Sequence, residues 1–138
     1  MIVTDASIWV SRFMPGDTFH QQSRAWVWQA TASGLTLAAP TLMLAEVSGA
    51  IARRVGDVKL GYEIVQQIRR LPNVQLVPLD ETLADFAAQV ASAHRLRGAD
   101  AVYVAVAHHL GASLVSWDQE QVDRASDLIV AHRPDQEA

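Results

Sequence analysis

Four carboxylates in this chain stand where a purely structural role explains them poorly. Asp5 and Asp118 each come directly after a short apolar run of the kind that forms a buried strand, IVT and ASLVSW. Asp100 opens the segment AVYVAVAHHL, which is apolar on nearly every side, as a buried helix is. Glu46 has no basic residue three or four positions away, so a local salt bridge cannot explain it. These acids predict a site for a hard cation.

Several acids placed together without compensation would raise one another's pKa values and cost stability, and a divalent cation removes that cost. Ligation by oxygen alone suits Mg²⁺ or Mn²⁺. Such an ion lowers the pKa of water, orients a phosphate and stabilises the oxygens that attack and leave in phosphodiester hydrolysis. Ser7 and Ser116 each lie two residues from a strand-end acid. We expect their hydroxyls to orient a carboxylate or a bound water.

Each acid also has a structural alternative. Asp5 and Asp100 suit the N-cap of a helix, and Asp118 suits the start of a turn. Glu46 can pair with an arginine that is distant in sequence. For each acid except Glu46, the structural explanation is sufficient when that acid is considered alone. Explaining all four acids in this way requires four separate structural roles, which makes a common site the simpler interpretation.

The elements that must position these acids alternate along the chain. Strands are predicted at residues 2–5, 35–39, 74–79, 112–117 and 127–132, with helical segments between them. Gly98 is expected to end a helix in the left-handed cap position. This alternation predicts an α/β fold with a mainly parallel sheet and helices on both faces. The carboxyl ends of such strands share one edge, where ligands gather.

Composition bounds the class of protein. The chain has 138 residues, half of them hydrophobic, which predicts one domain over 1–134 and a short polar end at 135–138. There is no cysteine and therefore no thiolate metal site. The net charge of −4 argues mildly against a broad phosphate-binding surface. No apolar run approaches ~18 residues, so we expect a soluble cytoplasmic protein without a membrane span.

Four motifs carry a family resemblance, in their order and spacing: MIVTDAS, the acid in PTLMLAEV, LRGADAVYVAVA and LVSWD. They resemble the PIN domain family, particularly its VapC-type toxin ribonucleases. The resemblance implies a three-layer sandwich with strand order 3-2-1-4-5 and a Mg²⁺- or Mn²⁺-dependent endoribonuclease. It also implies a cognate VapB-like antitoxin that inserts into the site, and a homodimer. Ser7 departs from the frequent Asn or Thr, and Trp117 departs from a smaller aliphatic residue.

The resemblance also implies roles for the acids. Asp5, Asp100 and Asp118 are expected to bind the metal directly or through water. Glu46 is expected to complete the ligation or to help deprotonate the attacking water. Cleavage would then leave a 5′-phosphate and a 3′-hydroxyl. Asp123 is a further candidate acid, although capping or solvating a short helix explains it better.

Several residues outside the acids are candidates for contact with RNA or a partner. Arg53 lies two helical turns beyond Glu46 on the same stripe, ~10 Å along the axis. It is predicted to contact the RNA backbone or an acidic group of a partner, and a solvated helix end explains it equally well. Arg95 and Arg97 flank the Gly98 turn and are expected to line the same entrance to the site. Trp28 points outward, as a tolerated surface residue or the mark of a partner groove.

Other chemistries lack a required residue. A receiver-like phosphoacceptor needs a lysine at a strand end, and the only lysine, Lys59, lies in a helix. A haloacid-dehalogenase-like phosphatase needs a second aspartate where this chain has Ser7. Histidine-driven attack by the RNA 2′-hydroxyl is disfavoured because His108 and His109 diverge on a helix. A PIN domain that binds RNA or protein without cutting remains the alternative.

Overall fold

The computed structural model describes residues 1–136, which form five strands and seven helices. The strands are β1 Ile2–Thr4, β2 Leu37–Pro40, β3 Val74–Val77, β4 Ser113–Val115 and β5 Ala131–His132. The helices are α1 Ala6–Phe13, α2 His20–Ala32, α3 Leu42–Val55, α4 Val58–Arg70, α5 Glu81–His94, α6 Gly98–Leu110 and α7 Gln119–Ala125.

The strands form one sheet in the order β3-β2-β1-β4-β5, and every neighbouring pair is parallel. The central strand β1 pairs Ile2 with Leu37 on one side and Thr4 with Val115 on the other. Right-handed crossovers place α1 to α4 on one face and α5 to α7 on the opposite face. The predicted three-layer sandwich with strand order 3-2-1-4-5 is therefore confirmed.

The core forms where the sequence is most apolar. Residues 101–107 of α6 are all buried, which accounts for the apolar character of that helix on every side. On α1, Ile8 and Trp9 are fully buried against the sheet. The indole N–H of Trp9 donates a hydrogen bond to Oγ1 of the equally buried Thr4, at 3.0 Å. This bond satisfies both polar atoms and fixes α1 to the strand that precedes it.

The end of one helix differs from the prediction for Gly98. The left-handed residue that closes α5 is Arg95, with φ of 56°, and its N–H donates to the carbonyl of Ala91. Gly98 instead begins α6. The helix ends at His94, as expected, but its left-handed cap residue is Arg95 and not Gly98.

The ends of the sheet are shorter than predicted. The last strand covers only Ala131–His132, because the N–H groups of Leu128 and Ile129 both donate to the carbonyl of Ala125 and prolong the turn after α7. The assignment of residues 1–134 to one domain stays a prediction. Residues 137–138 of the predicted polar end 135–138 lie outside the described residues. Within 1–136, every helix is too short or too polar to cross a membrane.

Candidate metal centre

Asp5 sits at the carboxyl end of β1 and is the N-cap of α1. Its Oδ1 accepts hydrogen bonds from the N–H of Ser7 at 3.1 Å and from the hydroxyl of Ser7 at 2.5 Å. Its Oδ2 accepts from the hydroxyl of Ser116 at 2.6 Å. Both carboxylate oxygens are thereby fixed, and the residue is only 6% exposed. The N-cap role and a role in a site therefore coincide at this residue.

Burial dominates the electrostatics of Asp5. Removal from water, together with the charge of Asp100, raises the pKa of the Asp5 carboxyl to about 6. The hydrogen bonds from Ser116 and Ser7 act in the opposite direction because they stabilise the ionised form. The carboxylate is therefore held in place in an environment that disfavours its charge.

Asp100 lies in the first turn of α6 and is half-buried. Burial raises the pKa of Asp100, and so do the charges of Asp118, Glu46 and Glu120. The charge of Arg97, the N-cap residue of α6, lowers it. Asp100 thus interacts with every other acid predicted for the site, since it also raises the pKa of the Asp5 carboxyl. The structure thus places four acids that lie far apart in sequence near enough for Asp100 to interact with the charge of each of the other three.

Glu46 is held by a residue that the sequence did not single out. The hydroxyl of Tyr103 donates to Oε1 of Glu46 at 2.6 Å, across 57 positions of sequence. Burial and the charge of Glu46 raise the pKa of Tyr103, so the phenol stays protonated as a donor. The alternative that Glu46 pairs with a distant arginine is wrong for residues 1–136, because none of their ion pairs includes it.

Asp118 is the N-cap of α7. Its Oδ1 accepts from the N–H groups of Glu120 at 3.0 Å and Gln121 at 3.2 Å. Its other oxygen, Oδ2, accepts no hydrogen bond within 1–136 and lies on an exposed residue. A capping role accounts for one oxygen of Asp118 and leaves the second available to a cation.

The two predicted hydroxyls converge on one acid. Ser7 holds Asp5, its neighbour in sequence, as expected. Ser116 also donates to Asp5 and accepts the N–H of Asp118 at 3.0 Å. The parallel pairing of β1 with β4 places Ser116 beside Asp5. Ser116 therefore links two of the acids.

Trp117 anchors this edge of the sheet through contacts that sequence reasoning missed. Its backbone N–H donates to Oγ of Ser7 at 3.0 Å, and its indole N–H donates to Oγ of Ser23 at 2.7 Å. Its ring stacks on Phe19, with centroids 4.0 Å apart and planes 5° apart. The unusual size of the residue at position 117 was the only available signal, because Ser23 is 94 positions away.

Gln121 connects α7 to the same edge. It is 1% exposed, and its Nε2 donates to the backbone carbonyl of Asp100 at 3.3 Å. Its Oε1 is buried and has no hydrogen-bond partner within the described residues. Nothing in the sequence distinguishes this glutamine from its neighbours Gln119 and Glu120.

Arg53 lies near the site, as the helical stripe predicted. Together with Glu46 and Ser7 it lines a cavity of about 430 Å³ between α1 and α3. A Cβ on Gly49 would come within 3.1 Å of Nη1 of Arg53, so the glycine leaves room for this guanidinium. Its neighbour Arg54 is instead paired with Asp17 at 2.7 Å.

Of the three remaining candidate residues, only Arg97 acts on the site. Arg97 acts on the site through its charge on Asp100. Arg95 contributes its backbone carbonyl, which accepts from Nη1 of Arg124 at 2.5 Å. Asp123 is exposed and accepts from Nε2 of Gln119 at 2.8 Å, in agreement with the helix-solvating alternative.

The donor set fits a hard divalent cation in chemistry. It consists of carboxylate and hydroxyl oxygens, and Mg²⁺ or Mn²⁺ is typically held by a few carboxylates together with several waters. Within residues 1–136, no three acidic or histidine side chains are close enough to form a complete ligand group. Oδ1 and Oδ2 of Asp5 and Oδ1 of Asp118 already accept hydrogen bonds.

Comparison with known families gives one match that covers most of the chain. The model of the PIN domain family matches residues 2–127. No curated protein sequence matches the chain.

Several solved structures share the fold. VapC20 of Mycobacterium tuberculosis, described as a Sarcin-Ricin loop cleaving toxin, aligns at a TM-score of 0.76 and 21% identity over 94% of this chain and 97% of that one. VapBC2 of Rickettsia felis, bound to a promoter DNA fragment, aligns at 0.73 and 12% identity over 96% and 98%. A toxin-antitoxin complex of Klebsiella pneumoniae aligns at 0.69 and 16% identity over 99% and 100%. At these identities the likeness is one of fold.

Proposed function

Because the chain belongs to the PIN domain family, we propose that it is a Mg²⁺- or Mn²⁺-dependent endoribonuclease of the VapC toxin type. The observation that carries this proposal is the set of acids around Asp100. Burial and the charges of Asp118, Glu46 and Glu120 all raise its pKa. A protein that keeps such acids together without a cation loses stability, so a cation is the simplest reason for the arrangement.

The proposed chemistry divides roles among the acids. Asp5, Asp100 and Asp118 would hold the ion, which lowers the pKa of water and neutralises the charge on the phosphate. Glu46 completes the ligand set or accepts a proton from the attacking water, in an orientation fixed by Tyr103. Hydrolysis by water leaves a 5′-phosphate and a 3′-hydroxyl.

Ser7 and Ser116 would orient the carboxylate of Asp5. Ser7 occupies both lone pairs of Oδ1 of Asp5 through its N–H and its hydroxyl, whereas Ser116 occupies one lone pair of Oδ2 and leaves the other to a cation. Because Ser116 also accepts the N–H of Asp118, it sets the position of one acid relative to the other. Such outer partners are part of metal sites in general.

RNA as the substrate is supported by one structural relative. VapC20 of Mycobacterium tuberculosis is described as cleaving the Sarcin-Ricin loop. We extend to this chain only the substrate class, RNA, and not that particular loop.

We also propose control by a cognate VapB-like antitoxin, and the toxin-antitoxin complex of Klebsiella pneumoniae supports the idea. An antitoxin that inserts into the site would compete with RNA for it. The homodimer and the cytoplasmic location stay predictions.

The test is cleavage of a structured RNA pool by the purified protein in Mg²⁺, Mn²⁺ or EDTA. Asp5→Asn and Asp100→Asn are the test variants, and Asp123→Asn is the matched control because it is exposed and bound only to Gln119. We expect wild type and the control to cut in metal, with 5′-phosphate ends, and both test variants to be inactive. Folded wild type that binds RNA without cutting it would instead favour a non-catalytic binding module.

A further inference from the structure

A second region with nucleic-acid chemistry lies on the outer surface of α1 and α2. It holds a cavity of about 650 Å³ between the end of α1 and the exposed face of α2. Its lining residues are Arg12, Gln21, Arg24, Ala25, Trp28 and Gln29. Five of the six come from α2 at the spacing of a single helix stripe. Cavities that bind small ligands usually measure about 300–1,000 Å³. A cavity of this size is large enough for one nucleotide.

Two arginines in this cavity lack a partner. Neither Arg12 nor Arg24 forms an ion pair within the described residues, and neither guanidinium donates a hydrogen bond there. Burial and the charge of Arg24 both lower the pKa of Arg12. The guanidinium of Arg12 lies 4.9 Å from the ring centroid of Phe13, which limits its movement. Two neighbouring guanidinium groups without an acidic partner suit an anion such as a phosphate.

The same cavity contains the most exposed aromatic ring of the described residues. Trp28 is 73% exposed, whereas Trp9 and Trp117 are buried. It follows Arg24 by four positions and also lines a smaller cavity, of about 220 Å³, together with Arg12. An exposed tryptophan beside unpaired arginines matches the stacking platform and cationic groove of single-strand binding proteins.

The position relative to the acids is set by α1 itself. Asp5 caps the start of this helix and Arg12 lies in its last turn. Seven residues of helix separate them by ~10 Å along the axis. An RNA strand with its cleaved bond at the acids can therefore reach the arginines within a few nucleotides.

We propose that Arg12, Arg24 and Trp28 form a subsite for a nucleotide of single-stranded RNA next to the bond that is cut. The two guanidinium groups bind its phosphate, and the ring of Trp28 stacks on its base. The inference deepens the proposed function, because it names where the substrate strand lies. Gln21 and Gln29, both exposed, frame the cavity with amides rather than apolar side chains. The two guanidinium groups without an ion pair within the described residues complement a phosphate, which favours RNA over a second protein surface.

The test measures binding without cleavage. A fluorescently labelled single-stranded RNA of random sequence is titrated with wild-type protein in EDTA, and its anisotropy is recorded. The test variants are Trp28→Ala, Trp28→Phe and Arg24→Gln. The controls are Tyr62→Ala and Arg70→Gln, because Tyr62 is also an exposed aromatic and Arg70 an exposed helix-end arginine.

We expect Trp28→Ala to weaken binding about 10-fold or more, and Trp28→Phe to keep most of it, since stacking needs only an aromatic ring. Arg24→Gln should lower the slope of log affinity against log salt concentration by about 0.7, the value for one phosphate contact on a single strand. Both controls should bind as wild type does.

Three results would overturn the subsite. The first is equal RNA affinity in the test variants and the controls, and the second is wild type that binds no single-stranded RNA. The third is loss of self-association in Trp28→Ala, by sedimentation, with unchanged RNA binding, which would make the surface a protein interface. Metal-dependent cleavage by the same wild-type sample separates these outcomes from failure of the nuclease proposal.

Discussion

The two ends of α1 each gather like charges, and the fold treats them in opposite ways. At the first end, Asp5 is buried and both its oxygens accept hydrogen bonds. Near the second, the half-buried Arg12 and the exposed Arg24 have no ion pair within 1–136. Asp5 and Arg12 each lie at the end of α1 that its dipole favours, whereas Arg24 belongs to α2. The dipole of α1 therefore does not explain why the acid is buried and hydrogen-bonded while the arginines are without an ion pair.

This difference indicates that the acids hold their oxygens in fixed positions, whereas the arginines attract an anion through their charge. Asp5, fixed by Ser7 and Ser116, and the half-buried Glu46, held by Tyr103, present oxygens at defined places, as the proposed cation would require. Arg24 is exposed and the half-buried Arg12 lies over the ring of Phe13, so both guanidinium groups can attract a phosphate without holding it in one fixed place. If the hydrogen-bonded acids and the arginines without an ion pair differ in this way, substitutions at the two places should have different effects.

The buried end should make stability depend on pH. The folded pKa of Asp5 is raised to about 6 from 3.8, so between those values the folded state binds more protons than the unfolded state. Stability of the metal-free protein should therefore fall as pH rises through this window. The contribution of Asp5 is on the order of 3 kcal/mol, because each pKa unit is worth about 1.4 kcal/mol.

Urea unfolding in EDTA at pH 4.5 and pH 7 checks this, with wild type beside Asp5→Asn. The variant should lose the Asp5 part of the pH dependence and be the more stable of the two at pH 7. Arg12→Gln is the control from the other end of the helix, since an arginine stays charged throughout this range. An unchanged slope in Asp5→Asn would contradict the burial argument.

Ser116→Ala removes the hydroxyl that links Asp5 to Asp118. We expect RNA cleavage to fall about 10- to 100-fold, the usual cost of losing an outer partner of a metal ligand. Initial rates in saturating Mn²⁺ measure it, with Ser92→Ala, exposed on α5, as the control. A rate equal to that of wild type would mean that Asp5 keeps its place without this bond.

The positions of the acids could be predicted from the sequence, because each depends on the residues next to it in the chain. Asp5 and Asp118 follow apolar runs directly, and parallel strands bring such ends to one edge. Asp100 was found because the helix behind it is apolar on every side.

What the sequence did not reveal is long-range. The bond of Tyr103 to Glu46 spans 57 positions, and that of Ser116 to Asp5 spans 111. Both depend on which faces of two elements meet, and neither leaves a periodic pattern in the chain. The left-handed Arg95 was missed for a different reason, because Gly98 is the residue type that usually takes that conformation.

Tyr103→Phe tests that long-range contact. It keeps the packing of the buried ring and removes the hydroxyl that orients Glu46. We expect cleavage to fall about 10-fold, at the low end of the range for an outer partner. Single-turnover rates compared with those of Tyr62→Phe, an exposed tyrosine, give the measurement. If both variants cut equally fast, Glu46 needs no anchor.

Arg53→Ala should have the smallest effect. Arg53 shares a cavity with Glu46 and is proposed to contact the RNA backbone. The slope of log RNA affinity against log salt concentration should fall by about 0.7, with metal affinity unchanged. Loss of metal binding instead would show that Arg53 supports the fold of the site rather than the RNA.

Calorimetric titration of the metal-free protein with Mn²⁺ tests the central claim most directly, because it asks whether the acids bind a cation in the absence of RNA. We predict binding by wild type, affinity weakened by more than about 100-fold in Asp100→Asn, and wild-type affinity in Asp123→Asn. Equal binding by all three proteins, or none by wild type, would contradict a metal centre at this edge of the sheet.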